Sequence, residues 1–162
     1  MISLKDAQKI VEGCLKKARD ENLKPITIAV LDTRGILVSS AMEDNSSLIR
    51  PDIAFAKAWG CVGIGFSSRK IRELYGEQPE QTHFFNAARA ISGNKIAPSP
   101  GGIMIKKGDH VIGAVGVSGD LPDRDEICAI AGVEAAGLTL SNMINAKRLF
   151  CLIFLIFRRQ RN

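Results

Sequence analysis

Aromatic side chains with a polar edge are almost missing from this 162-residue chain, which has one tryptophan, one tyrosine and only two histidines. A lone Trp59 and a lone Tyr75 offer no repeated platform for stacking bases, so a single-stranded nucleic-acid binder is excluded on composition. The four cysteines (Cys14, Cys61, Cys128 and Cys151) are scattered, with no C-x-x-C pair and no metal-ligand spacing. No stretch approaches the roughly 20 apolar residues that a membrane-spanning helix needs. The start of the chain, residues 1–6, already reads as amphipathic and not as a secretory leader. Scattered thiols and the absence of a leader pattern imply a reduced, cytoplasmic protein with buried cysteines.

Charge of one sign is also scarcer than the net value suggests. The chain carries +5 overall, but Lys147, Arg148, Arg158, Arg159 and Arg161 all fall in the last sixteen residues. Without those five, 17 basic residues face 17 acidic ones. A neutral body argues against nucleic acid as a partner. The same final stretch holds nine consecutive apolar residues, 149–157, between basic flanks. Nine is too few to cross a bilayer. An interfacial anchor, a buried extension and sequence foreign to the domain are the readings open to it. The abrupt change of composition favours the last, so the expected division is a domain over 1–146 and a tail over 147–162.

What remains is an ordinary globular composition, 46% apolar and 24% charged, on a length that suits one domain with a sizeable core. Ser3 followed by Asp6 is a helix start. Leu4, Ala7, Ile10, Val11, Cys14, Leu15 and Ala18 then recur at helical spacing, and Pro25 follows the stop. Residues 26–31 and 36–40 are β-rich runs joined by Asp32-Thr33-Arg34-Gly35, a hairpin pattern. The polar loop 43–47 follows, and its acidic pair is read as solvated. Pro51 opens a helix running toward the glycines at 60–65. Ser67 or Ser68 caps another that ends before Gly76 and Pro79, and 81–91 forms a third presenting Phe84, Phe85 and Ala88.

Residues 103–105 and 111–117 flank the polar turn 106–110, a second hairpin. The latter run carries Gly113, Gly116 and Gly119. Glycine weakens a strand interior, so this use of it implies close approach of backbone or ligand. Asp123 and Glu126 read as a capping box for a last helix whose inward stripe is Ile127, Ile130, Ala131, Ala135 and Leu138. The order α-β-β-α-α-α-β-β-α, with two tight hairpins, predicts an α+β fold with helices packed on an antiparallel sheet.

Several of these pieces resemble the GlcG/HbpS-like family of haem-binding proteins, also described as a haem-degrading domain, and are similar to the C-terminal domain of PduO-type corrinoid proteins. They are Arg50-Pro51-Asp52-Ile53-Ala54 with Lys57-Ala58, Ser67-Ser68-Arg69, residues 100–105, residues 111–119, and Asp125-Glu126 with Cys128-Ala129. The likeness runs colinearly over about residues 3 to 142. It implies a five-stranded antiparallel sheet, assembly into homo-oligomers, and binding of haem or, as the alternative, a corrinoid. It transfers no catalytic residues.

Haem needs an apolar slot, donors for its propionates and an axial ligand. The candidate set is Arg50, Lys57, His83, Gly101, Gly102, Gly116, Ser118 and Gly119, with His83, beside Phe84 and Phe85, as the candidate iron ligand. His83 read as a helix residue at a pocket rim, and the glycines read as strand-on-helix packing, are the plainer alternatives. Asp125 and Glu126 read as capping residues and Cys128 as packing. The expected function is binding of a small molecule, haem or a related tetrapyrrole, in a sensing, storage or accessory role. An enzyme acting on a small carboxylate or cofactor, and a structural assembly module, are the alternatives. Bound ligand would separate the first two. Large apolar subunit contacts without a concave pocket would mark the third.

Overall fold

The computed structural model describes residues 1–77 and 79–141 of the chain. Helix α1 (Leu4–Asp20) leads into strands β1 (Thr27–Asp32) and β2 (Leu37–Met42). Helices α2 (Arg50–Ile64), α3 (Ser68–Glu77) and α4 (Pro79–Ile91) follow. Strands β3 (Gly102–Lys107) and β4 (His110–Ser118), helix α5 (Pro122–Ala135) and a short β5 (Thr139–Ser141) complete the order. All five strands join one antiparallel sheet in the order β2-β1-β4-β3-β5. The α+β class and the expected sequence of elements are both present, with β5 as the added fifth strand. The tail 147–162 lies outside the described residues. Among the described residues no helix is long and apolar enough to cross a membrane.

Both hairpins form where turn chemistry demands them. Asp32 accepts from the backbone N–H of Arg34 (2.8 Å) and of Ile36 (3.1 Å), and Gly35 takes the positive φ of +75° that closes the turn. Burial opposes the Asp32 charge, but the Arg34 guanidinium and these amides outweigh it and hold the carboxyl below its ordinary range. Ser3 caps α1 as expected, accepting from the Asp6 N–H at 3.1 Å.

Strand alternation sorts the core into two faces. Ile28, Val30, Ile103, Ile105, Val115 and Val117 point toward α1 and α5. Leu31, Met104 and Ala114 point to the opposite side, where Ala58 and Cys61 of α2 cover them. Beyond α2, a smaller cluster of Ile71, Phe85 and Ile96 ties α3 and α4 to it. The two expected stripes fared differently. That of α1 is buried through Ala7, Ile10, Val11, Cys14 and Ala18. That of α5 is rotated: Cys128, Ala129, Gly132 and Val133 are buried while Ile127 is 46% exposed. Close crossing of α1 over α5 explains the rotation. A Cβ on Gly132 would sit 2.4 Å from the Cys14 Sγ, and one on Gly13 would sit 2.7 Å from the Ala135 Cβ. Only a small-residue face fits that contact.

Candidate functional site

The glycine-rich end of the hairpin β3–β4 lies directly under α2. Gly102 and Gly116 are cross-strand partners, and Ala29 of β1 is the neighbour on the other side of Gly116. This row of minimal side chains lets the α2 backbone rest on the sheet. A Cβ at Gly116 would fall 2.0 Å from the Ala54 carbonyl oxygen, and one at Gly102 would fall 2.6 Å from that of Lys57. A Cβ at Gly119 would meet the Pro25 carbonyl oxygen at 2.5 Å. Backbone, then, makes the close approach that these glycines permit.

Lys57 reaches down from α2 into this seam. Its side chain is 2% exposed, and its Nζ donates to the Val117 carbonyl and to the Asp125 Oδ2, both at 2.8 Å. Asp125, 1% exposed, accepts through its other oxygen from the Asp120 N–H at 3.0 Å. Burial pulls the Lys57 ammonium below its usual range and pushes the Asp125 carboxyl up, and the attraction between them opposes both shifts. Gly101 is required beside this pair: its φ is +118°, and a Cβ there would lie 2.8 Å from the Lys57 Nζ. Arg50 donates to the Ser118 hydroxyl at 3.3 Å. Ser68, fully buried at the start of α3, accepts from the Gly102 N–H at 2.7 Å and donates to its carbonyl at 3.3 Å.

The capping box expected at Asp123 and Glu126 does not form, because the α5 N-cap is Leu121 with no side-chain bond and Pro122 at the first turn. Both acids turn to Arg69 instead. Its Nε meets Glu126 at 2.8 Å, and its Nη2 meets Asp123 at 2.6 Å. So Arg50, Lys57, Gly101, Gly102, Gly116 and Ser118 are brought together with Arg69, Asp125 and Glu126, as a packed polar seam. His83, exposed on α4, and His110, exposed at the β3–β4 turn, lie outside it.

A concave surface opens on the other flank of α2. It has a volume of about 580 Å³ and is walled by Trp59, Gly63 and Ile64 of α2, by Phe84, Ala87, Ala88 and Ile91 of α4, and by Ser92, Lys95 and Ile96. Its floor is preorganised. A Cβ on Gly35 would lie 2.7 Å from the Trp59 Nε1, and one on Gly63 would lie 2.9 Å from the Trp59 Cζ3, so two glycines make the slot that holds the indole. The Lys95 ammonium stands 5.9 Å from the centre of that ring, a cation–π distance. Phe84 is 55% exposed at the mouth and Ile91 88%. Trp59 and Lys95 were not singled out from the sequence. The one available signal was the i, i+4 spacing of Trp59 and Gly63, which puts a bare position beside the indole.

Antiparallel five-stranded sheet, a helix bedded on a glycine seam and an apolar cleft behind it define an α+β class of domain. The family model described as "Haem degrading protein HbpS-like" matches residues 2–134. The chain belongs to that HbpS-like family. Solved structures share the fold. The PduOC:heme complex superposes with a TM-score of 0.73 at 16% identity, over 88% of this chain and 98% of that one. Protein ORFY of Klebsiella pneumoniae gives 0.76 at 24% identity, over 84% and 90%. A double mutant of Streptomyces reticuli HbpS gives 0.68 at 19%, over 82% and 85%. Among curated protein sequences none matches this chain.

Proposed function

We propose that this chain binds a tetrapyrrole, haem or a close relative, in the cleft between α2 and α4. The observation that carries the reading is the cleft itself: an apolar concavity of about 580 Å³ with one aromatic floor and one cation. That size lies inside the range of roughly 300–1,000 Å³ usual for small-molecule sites. Trp59 and Phe84 supply surface for a macrocycle face. Lys95 supplies the partner for a propionate. Leaving the indole forfeits about 0.5–1 kcal/mol of cation–π attraction at an exposed site. A charge-assisted bond to a carboxylate returns about 1.5–3 kcal/mol. The balance favours the ligand.

In this reading the seam of Arg50, Lys57, Gly101, Gly102, Gly116, Ser118 and Gly119 acts one step back. It beds α2 on the sheet, and Trp59 stands two residues beyond Lys57. His83 is one residue from Phe84 and shares a helix face with Ala87, so it is the imidazole assigned to the cleft rim. A homo-oligomeric state, implied by the family likeness, and a cytoplasmic setting, implied by the scattered thiols, belong to the same proposal, and light scattering on the full chain tests the first. Titration with hemin tests the binding claim. A saturable Soret shift with parallel loss of Trp59 emission is expected, and a spectrum identical to free hemin overturns it.

A further inference from the structure

The donor set of the cleft disagrees with iron as the recognised feature. Among the described residues, none that lines it carries an imidazole, thiol, thioether or phenol. Every described side chain of those types lies outside that lining. Cys14, Cys61 and Cys128 are fully buried in the layers around the sheet. Met104 is buried against α2, and Met42 lines a separate hollow beside β2. The Tyr75 hydroxyl donates to Asn86 at 3.1 Å, and its ring packs edge-on to Phe85. His110 belongs to the far hairpin turn, and His83 is exposed beside, not within, the cleft wall. Ser92 is spent as well, donating to the Arg89 carbonyl at 3.0 Å.

We infer that the cleft recognises a planar macrocycle by its faces and one peripheral carboxylate, so that a metal-free porphyrin dicarboxylate binds as well as haem. The inference rests on the tetrapyrrole reading above and deepens it. Its recognition elements are the indole of Trp59, the ring of Phe84, and the lone cation, Lys95. One cation specifies one carboxylate, which orients an otherwise symmetric apolar disc in the slot.

The test uses the full chain and its single tryptophan. Hemin, protoporphyrin IX and the dimethyl ester of protoporphyrin IX are each titrated while Trp59 emission is followed. The two acids are expected to bind within about threefold of each other, and the ester about tenfold or more weakly, as loss of one charge-assisted contact requires. Lys95→Gln, on the surface and without a role in the core, should weaken both acids alike and abolish the acid-to-ester difference. Hemin binding more than about tenfold tighter than protoporphyrin, with the advantage lost in His83→Ala, would overturn the inference and leave tetrapyrrole binding standing. Failure of all three probes to quench Trp59 would sink the tetrapyrrole reading and the inference together.

Discussion

Removing the Asp125 carboxylate should cost this domain a large share of its stability. The Lys57 ammonium is 2% exposed and has two partners, Asp125 and the Val117 carbonyl, both at 2.8 Å. In Asp125→Ala the ammonium keeps a single neutral acceptor, and the Asp120 N–H loses its own. Breaking a buried ion pair from one side costs about 3–5 kcal/mol. Small domains are stable by only about 5–15 kcal/mol. For a chain of this length that translates to a fall in melting temperature of roughly 6–20 °C. Within the pair, desolvation of both charges offsets their attraction, and burial shifts both groups toward their neutral forms. The double replacement Lys57→Met with Asp125→Leu should therefore recover most of the loss or exceed the parent. Urea unfolding of the parent, Lys57→Met, Asp125→Leu and the double variant measures the cycle, with Asp125→Ala beside it. A loss below about 1 kcal/mol in Asp125→Ala, or strictly additive losses in the double variant, would refute this reasoning.

Two glycines in different settings should respond to alanine with opposite signs. Gly116→Ala should destabilise by about 1–3 kcal/mol, because its Cβ falls 2.0 Å from the Ala54 carbonyl oxygen, whereas Gly76→Ala, with nothing within 4 Å, should stabilise α3 by about 0.5–1 kcal/mol. Thermal melts report both. Backbone N–H bonds from Lys24 (2.9 Å) and Leu121 (2.7 Å) hold the Asp120 carboxyl below its ordinary value of 3.8. A depressed carboxyl stabilises the fold above its unfolded pKa and loses that contribution as pH falls through the folded one. Asp120→Asn should thus be less stable than the parent at pH 7 and converge with it as pH falls through the depressed folded value, as unfolding followed across pH would reveal. Burial pushes the thiols of Cys61 to about 12 and Cys128 to about 11. At pH 8 neither should react with a maleimide until denaturant is added, as peptide mass mapping can establish.

Local chemistry made much of the fold readable in the chain. Gly35 with Asp32, and the polar turn before His110, mark hairpins through rules that act within a few residues. Ser3 and the apolar spacing after it mark α1 in the same way. What escaped depends on partners far apart in sequence. Lys57 and Asp125 are 68 residues apart, and nothing within α5 distinguishes a buried acid from a capping one. The α5 stripe was misread because the larger Ile127 outweighs Cys128 and Gly132 in any local pattern, while the close α1 crossing selects the small residues. At the candidate site, the glycines of 101–119 were legible as a place of close approach. That the approaching group is the α2 backbone follows only from tertiary packing, as does the cleft that Trp59 and Lys95 share with α4.

Hemin titration of paired variants tests the central claim most directly. Ala87 is an exposed residue of the cleft wall, and Ala87→Glu puts a charged carboxylate into that apolar lining. Arg50 belongs to the seam on the sheet side of α2. The Soret shift and Trp59 quenching should be saturable in the parent, preserved in Arg50→Ala and lost in Ala87→Glu. Binding that survives Ala87→Glu and disappears with Arg50→Ala would contradict the assignment of the ligand to the cleft.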